Sequence, residues 1–257
     1  MRWHKIIAAA TIAQALILHP ALAGENLDQI KAAGVIKIGT EGTYAPFTYH
    51  DTNGDLVGFD VEIGKAVADK LGVKAEFIEG KWDGLIAGLD ANRYDTVINQ
   101  VGITEARQQK YDFSDPYIAS KAVLIIRDDN TEIEGFEDLK GKRSAQSLTS
   151  NFGKLAQDAG AELVGTDGFD QSIQLVLTGR ADATINDSLS YLDFKKQKPD
   201  APVKAVAEKA DADHSGIIVR KGDPELVAAI NKALAEIKTD GTYLEISEKY
   251  FGQDVSQ

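Results

Sequence analysis

From residue 35 onward, short apolar runs alternate with segments of helical period. Residues 35–38 read as a buried strand. Residues 49–57 read as a hairpin around Asn53-Gly54, the strongest short-range turn pair. Asp60 then stands where a helix cap would, before Ile63, Val67 and Leu71 at i, i+4 and i+8, and Gly72 ends that helix. Residues 73–78 form the next predicted strand, Leu85, Ile86 and Leu89 mark a helix, and residues 94–98 mark a strand. The rhythm restarts later in the chain. A short helix over 137–140 closes at Gly141, a helix over about 152–159 stops at Gly160, and residues 161–164 are a strand. A helix carrying Ile173, Val176 and Leu177 ends at Gly179, with strands at 181–185 and 217–219 after it. Pro224 opens a long amphipathic helix, and a last helix spans about 243–250. Strand–helix alternation of this kind predicts an α/β protein with mostly parallel sheets flanked by helices. No low-complexity linker separates the two halves, and no period of 20–50 residues repeats.

The first residues follow a different pattern. Met1-Arg2-Trp3-His4-Lys5 is short and basic, residues 6–18 are apolar except for Thr11 and Gln14, and Ala21 and Ala23 have the spacing of a signal-peptide cleavage site. The apolar stretch is too short to cross about 30 Å of hydrocarbon as a helix. The expectation is an exported chain cut near Ala23. No cysteine follows the apolar stretch to carry a lipid anchor, so a soluble protein of the periplasm is expected.

Composition narrows the chemistry. The 257 residues include no cysteine, which excludes disulfides, thiolate metal sites and a thiol nucleophile. The formal net charge is −12, and loss of Arg2 and Lys5 with the leader would make it −14. So acidic a chain does not bind nucleic acid through a basic face. Past residue 23 only His50 and His214 remain as histidines, and no metal site or cofactor is expected. The phosphate-cradling, dinucleotide-binding and nucleophile-elbow motifs are all missing.

Three segments put polar groups at the ends of predicted strands, where open α/β sheets hold their ligands. In the first, residues 99–107, Thr104 has the look of a helix cap and Arg107 stands one turn in, a pairing suited to a carboxylate or to a surface ion pair. In the second, Asp187 follows a predicted strand; it could cap a helix or meet a ligand ammonium. The third is the hydroxyl and amide run 147–152 at a helix start. Tyr44 and Phe47 lie in the loop after the first strand. Trp82, between Gly80 and Gly84, is poorly placed for a core residue and well placed for a binding wall.

Taken together these segments resemble the periplasmic binding proteins of ABC-type importers for polar amino acids. The pieces are Tyr44-x-Pro46-Phe47, Leu56-Val57-Gly58-Phe59-Asp60-Val61-Glu62, Trp82-Asp83-Gly84-Leu85, Ile103-Thr104-Glu105-Ala106-Arg107 and Tyr111-Asp112-Phe113-Ser114-Asp115-Pro116-Tyr117. Asp138-Leu139-Lys140-Gly141-Lys142, Gly179-Arg180-Ala181-Asp182-Ala183 and Asp240-Gly241-Thr242 complete the set. Residues 97–101 and 145–151 are most similar to the cystine-binding branch.

The resemblance implies a two-lobed, type II periplasmic-binding-protein fold with two crossover strands. Lobe one would be residues 24–119 plus 216–257, and lobe two residues 120–215. It implies a monomeric, non-enzymatic receptor that closes on one polar amino acid, cystine first, and delivers it to a membrane permease. Glutamine, glutamate or a broad polar range is the alternative, and an exported enzyme of the cyclohexadienyl dehydratase type is a further one. Arg107 would clamp the α-carboxylate with help from Gly102 and Ser150, and Asp187 would take the α-ammonium. Tyr44, Phe47 and Trp82 would wall the side chain, with Asn99, Gln100, Thr149 and Asn151 close by. Two positions depart from the family: Gly102 stands where many relatives carry Ser or Thr, and Thr149 where Gly is common.

Overall fold

The computed structural model describes residues 25–256; the expected leader, residues 1–23, lies outside them. In chain order the elements are α1 (Glu25–Ala33), β1 (Val35–Thr40), β2 (Thr43–Tyr44), β3 (Thr48–His50), β4 (Leu56–Val57), α2 (Phe59–Leu71), β5 (Lys74–Glu79), α3 (Trp82–Asp90), β6 (Thr96–Val97), α4 (Glu105–Gln108), β7 (Tyr111–Phe113), β8 (Ile118–Ser120), β9 (Ala122–Arg127), β10 (Arg143–Gln146), α5 (Asn151–Asp158), β11 (Glu162–Gly165), α6 (Phe169–Leu177), β12 (Ala183–Asp187), α7 (Ser188–Gln197), β13 (Val203–Glu208), β14 (Asp213–Ser215), β15 (Ile218–Arg220), α8 (Pro224–Thr239) and α9 (Thr242–Phe251).

Two five-stranded sheets form the two lobes, in the orders β5-β1-β6-β15-β7 and β11-β10-β12-β9-β13. Each is parallel on one side and antiparallel on the other. β1 pairs parallel with β5 and β6, while β15 runs antiparallel to β6 and β7. In the second sheet β10 is parallel to β11 and β12, and β9 is antiparallel to β12 and β13. The expected mostly parallel sheets are therefore mixed ones. The antiparallel strands enter the sheets from the crossing segments and not through helical crossovers. β8 leaves the first sheet, β14 returns to it, and the two pair antiparallel as the double connection between lobes.

In the first lobe Ile36 and Ile38 of β1 pack with Ile63 and Val67 of α2 and with Ile230 and Leu234 of α8. In the second lobe β9 is buried on both faces. Val123 and Ile125 join a cluster with Phe169 and Ile173, while Leu124 and Ile126 join Ala156 and Ile185. That double burial is why residues 122–126 form an unbroken apolar run without alternation.

The start of α2 departs from the expectation. Gly58, not Asp60, precedes the helix, with φ 131°. A Cβ at Gly58 would stand 2.2 Å from the Phe47 carbonyl oxygen, so only glycine fits there. Asp60 turns inward and is fully buried. It accepts the Gln100 backbone N–H at 2.8 Å, the Gln100 side-chain amide at 3.0 Å and the Tyr117 hydroxyl at 2.9 Å. Gln100 is held at φ 51°, a left-handed conformation costly for a residue with a side chain. One carboxylate thus fastens α2, the loop after β6 and the approach to crossing strand β8. Asp60→Ala would strand three buried donors and free Gln100 from its conformation. Urea unfolding should show a loss of about 2–4 kcal/mol; a loss below about 0.5 kcal/mol would mean those donors find other partners.

Candidate functional site

The loops at the strand ends of the two sheets face each other across a cleft. Along it lie two cavities that share Ser150, Asn151 and Phe152 as a common wall. The inner one, about 40 Å³, is lined by Tyr44, Trp82, Asn99 and Gln100 from lobe one and by Phe169 and Asn186, among others, from lobe two. The outer one, about 460 Å³, is lined by Gly102, Thr104, Arg107, Thr149, Lys154 and His214, among others.

Arg107 is positioned by local rules. Thr104 caps α4 and its hydroxyl accepts the Arg107 N–H. The guanidinium donates to the Gly102 carbonyl at 2.9 Å and, across the cleft, to the Thr149 carbonyl at 3.5 Å. It also lies 5.2 Å over the Trp82 ring. Among the described residues it forms no ion pair with a carboxylate. Desolvation lowers its pKa to about 10. A cation partly withdrawn from water, with its hydrogen bonds going to carbonyls and no counter-charge among the described residues, is able to take an anion. Gly102 leaves this site open, since a Cβ there would stand 3.5 Å from both Arg107 Nη1 and Asn151 Nδ2, an ordinary contact distance.

Trp82 opens α3 instead of sitting in a loop. It packs with Leu85, Leu89 and Val101 and still presents an edge to the inner cavity. Asn99 is a brace for Glu41. Its Oδ1 accepts the Glu41 N–H at 2.8 Å, and its Nδ2 donates to Glu41 Oε2 at 2.6 Å.

Two expected ligand contacts, Phe47 and Asp187, do not line either cavity. Phe47 is 0% exposed and belongs to the lobe-one core, its ring behind Tyr44 at 5.2 Å and against Phe251 at 5.9 Å. Tyr44 is the aromatic that reaches the cleft. Asp187 is 5% exposed and caps α7. One of its oxygens takes the Leu189 and Ser190 N–H groups and the other takes the Ser120 hydroxyl. Its neighbour Asn186 lines the cavity in its place and accepts the Tyr44 hydroxyl at 2.8 Å. Two hydroxyls of the 147–152 run are also already engaged. Ser150 Oγ donates to the Ser147 carbonyl and caps α5, and Thr149 Oγ1 donates to Asp83.

Glu41, Gln146, Gly168, Phe169, Ser172 and Asn186 line the inner cavity without having been singled out as ligand contacts. Glu41 directly follows β1, and Gly168 precedes Phe169 at the start of α6 after the turn from β11, so the strand-end rule applied at 99 and 187 reaches them too.

The lobes meet around this cleft. Asp83 accepts the Thr149 N–H and hydroxyl at 2.9 and 2.8 Å, and Lys81 pairs with Asp167 at 2.6 Å. On the other flank Ser190 Oγ donates to the Ala45 carbonyl at 2.8 Å. The protein is thus shown with its cleft closed.

Fold and site define a two-lobed binding protein with a guanidinium that lacks a counter-ion beside a polar-lined cavity between the lobes. The chain belongs to the bacterial extracellular solute-binding proteins, family 3, whose pattern matches residues 36–253. It is 48% identical, over 91% of its length and 87% of the relative's, to the L-cystine-binding protein TcyA of Bacillus subtilis. Among solved structures it is similar to the L-cystine solute receptor of Neisseria gonorrhoeae in the unliganded open conformation, at 49% identity, covering 91% of this chain and 100% of that one with a TM-score of 0.61. An ancestral arginine-binding protein bound to arginine matches at 44% identity and a TM-score of 0.80, covering 85% and 98%.

Burial raises three carboxylates around the cleft. Glu41 and Asp60 are pushed up to about 7 and Asp187 to about 6. In the unfolded chain these groups ionise near pH 4. Between about pH 4 and 7 the folded protein therefore holds more protons than the unfolded one, and stability falls as pH rises through that window. Surface carboxylates held low by lysine or arginine, such as Asp182 and Asp240, act only below it. The ligand-free protein should melt at a higher temperature at pH 5 than at pH 7.5. Calorimetry showing the reverse would mean that water reaches these carboxylates.

Proposed function

We propose that this protein is a periplasmic receptor for a polar amino acid, cystine first, that closes on its ligand and hands it to the membrane permease of an ABC importer. The observation that carries this reading is Arg107, a desolvated guanidinium without a carboxylate partner at the mouth of a closed cleft. An α-carboxylate supplies the missing charge and accepts the two-pronged hydrogen bond. Gly102 leaves room for it, and Asn151 brings an amide from the opposite lobe. Tyr44 and Trp82 flank the side-chain cavity, with Asn99 and Gln100 at its floor. Asp187 follows the wall residue Asn186 and does not itself line the cavity. The lobes divide at residues 24–119 plus 216–257 and 120–215, and the working unit is a monomer cut near Ala23 and carrying no lipid.

Cystine comes first because the TcyA protein and the gonococcal receptor are both named for it. The protein is a carrier and not a catalyst. A dehydratase-type reading has one observation in its favour, the cleft carboxylate Glu41 held near pH 7. Turnover of a cyclohexadienyl acid by the purified protein would support that reading over this one.

A thermal-shift screen of all amino acids, cystine included, should single out the ligand, because binding to the folded state stabilises by mass action. Arg107→Ala should cost about 3–5 kcal/mol of binding free energy for any α-amino acid, by calorimetry. Near-normal affinity in that variant would remove Arg107 from the carboxylate site. Trp82 is the one tryptophan past residue 23, so its fluorescence should change on saturation with the ligand. A flat signal would separate the cavity beside Trp82 from the binding site.

A further inference from the structure

The inner cavity carries polar atoms that the protein leaves open. Trp82 Nε1 and Gln100 Oε1 are both buried without a hydrogen-bond partner. Their residues are 8% and 9% exposed and both line the cavity. Buried polar atoms of this kind are nearly always satisfied, so two in one small cavity ask for a ligand. Glu41 stands beside them. Its Oε2 is occupied by Asn99, and its Oε1 faces Gly168 of lobe two, where a Cβ would still be 3.8 Å away. The wall opposite Glu41 is therefore bare backbone.

The three groups differ in kind. An indole N–H can only donate. Gln100 can only accept at this point, because its amide nitrogen is committed to Asp60 and fixes which end of the amide faces the cavity. Glu41 offers a carboxylate oxygen. Two acceptors and one donor complement an ammonium and a carboxylate on one carbon. We propose that the inner cavity is a second head-group subsite: Glu41 and Gln100 accept from the far ammonium of a two-headed amino acid, and Trp82 Nε1 donates to its far carboxylate. This rests on the receptor reading and sharpens its ligand class to molecules with an α-amino-acid head at each end.

Other side chains fit less well. A lysine- or arginine-type cation would satisfy the two acceptors and leave the indole N–H stranded. A glutamate-type carboxylate would meet the indole but face Glu41. A site built from buried polar atoms rejects ligands that leave them unpaired more strongly than an apolar pocket rejects a misfit. Trp82 also links the two ends, since Arg107 lies over its ring while the residue lines the inner cavity.

Calorimetry with L-cystine, which has two heads, and S-methyl-L-cysteine, which keeps only the near half, tests this. The unaltered protein should prefer cystine by about tenfold or more, since hydrogen bonds to charged groups carry at least one factor of ten. Trp82→Phe keeps a ring under Arg107 and removes the donor. Glu41→Gln keeps the shape and removes the charge. Each should lower the cystine to S-methylcysteine affinity ratio by about tenfold. Equal binding of the two ligands by the unaltered protein, or an unchanged ratio in both variants, overturns the second subsite and leaves the receptor reading standing. Binding of arginine or glutamine with no response to cystine does the same. Absence of binding by any amino acid overturns the receptor reading itself.

Discussion

A guanidinium held out of water without its counter-ion is the constraint on which the rest of the site depends. Charge removed from water is costly, and a buried cation is tolerated when carbonyls, an aromatic face or an anion replace its hydration. Arg107 has the first two from the protein, at Gly102 and Thr149 and over Trp82, and lacks the third. One carbonyl comes from each lobe, so the guanidinium has both only when the cleft is shut. With the ligand carboxylate proposed for Arg107, closure and anion binding would be one event: the anion would stabilise the closed arrangement, and closure would strengthen the anion's contacts by excluding water.

Holding such a group in place requires a rigid frame, and buried carboxylates supply it. Asp60 fixes the left-handed Gln100, and Gln100 starts the segment leading to Gly102 and Arg107. Thr40 and Thr48 bond each other, Thr40 bonds Asn99, and Asn99 holds Glu41 at the cavity wall. These networks lie within lobe one, so that lobe presents a preformed half-site. Lobe two contributes through α5 and the start of α6, whose groups reach the ligand position only across the cleft. A half-site on one lobe and a cover on the other is the arrangement that hinge closure demands.

How much of this was visible along the chain depended on the range of the interaction that decides each feature. Thr104, Asp187, Gly72 and Pro224 were read from neighbours within a turn of helix, and the structure gives them helix-end roles. Asp60 misled because its cap position was real in pattern, yet its partners Gln100 and Tyr117 lie 40 and 57 residues away. Phe47 misled because a loop's side chains have no period to say which faces the core; Tyr44 and Phe47 lie in contact and face opposite ways. The antiparallel halves of the sheets were hidden for the same reason, since β6 pairs with β15 some 120 residues on. The family motifs supplied what local pattern could not, namely the double crossing and the place of Arg107.

The contacts that join the lobes are of two kinds, and the difference decides what drives closure. Asp83–Thr149 and Lys81–Asp167 sit on exposed rims, where a polar contact contributes about 0–1 kcal/mol. Such contacts orient the lobes without holding them shut. The more enclosed contact, Tyr44 to Asn186, borders the inner cavity, whose lining residues Trp82 and Gln100 each hold a buried polar atom without a partner. A closed cleft with stranded donors and acceptors is poorly stabilised by itself, while the same cleft with those atoms paired gains at every one of them. On the proposed reading selectivity and closure draw on the same groups: a ligand that paired Arg107 alone would close the lobes weakly, and one that also paired the inner wall would close them firmly.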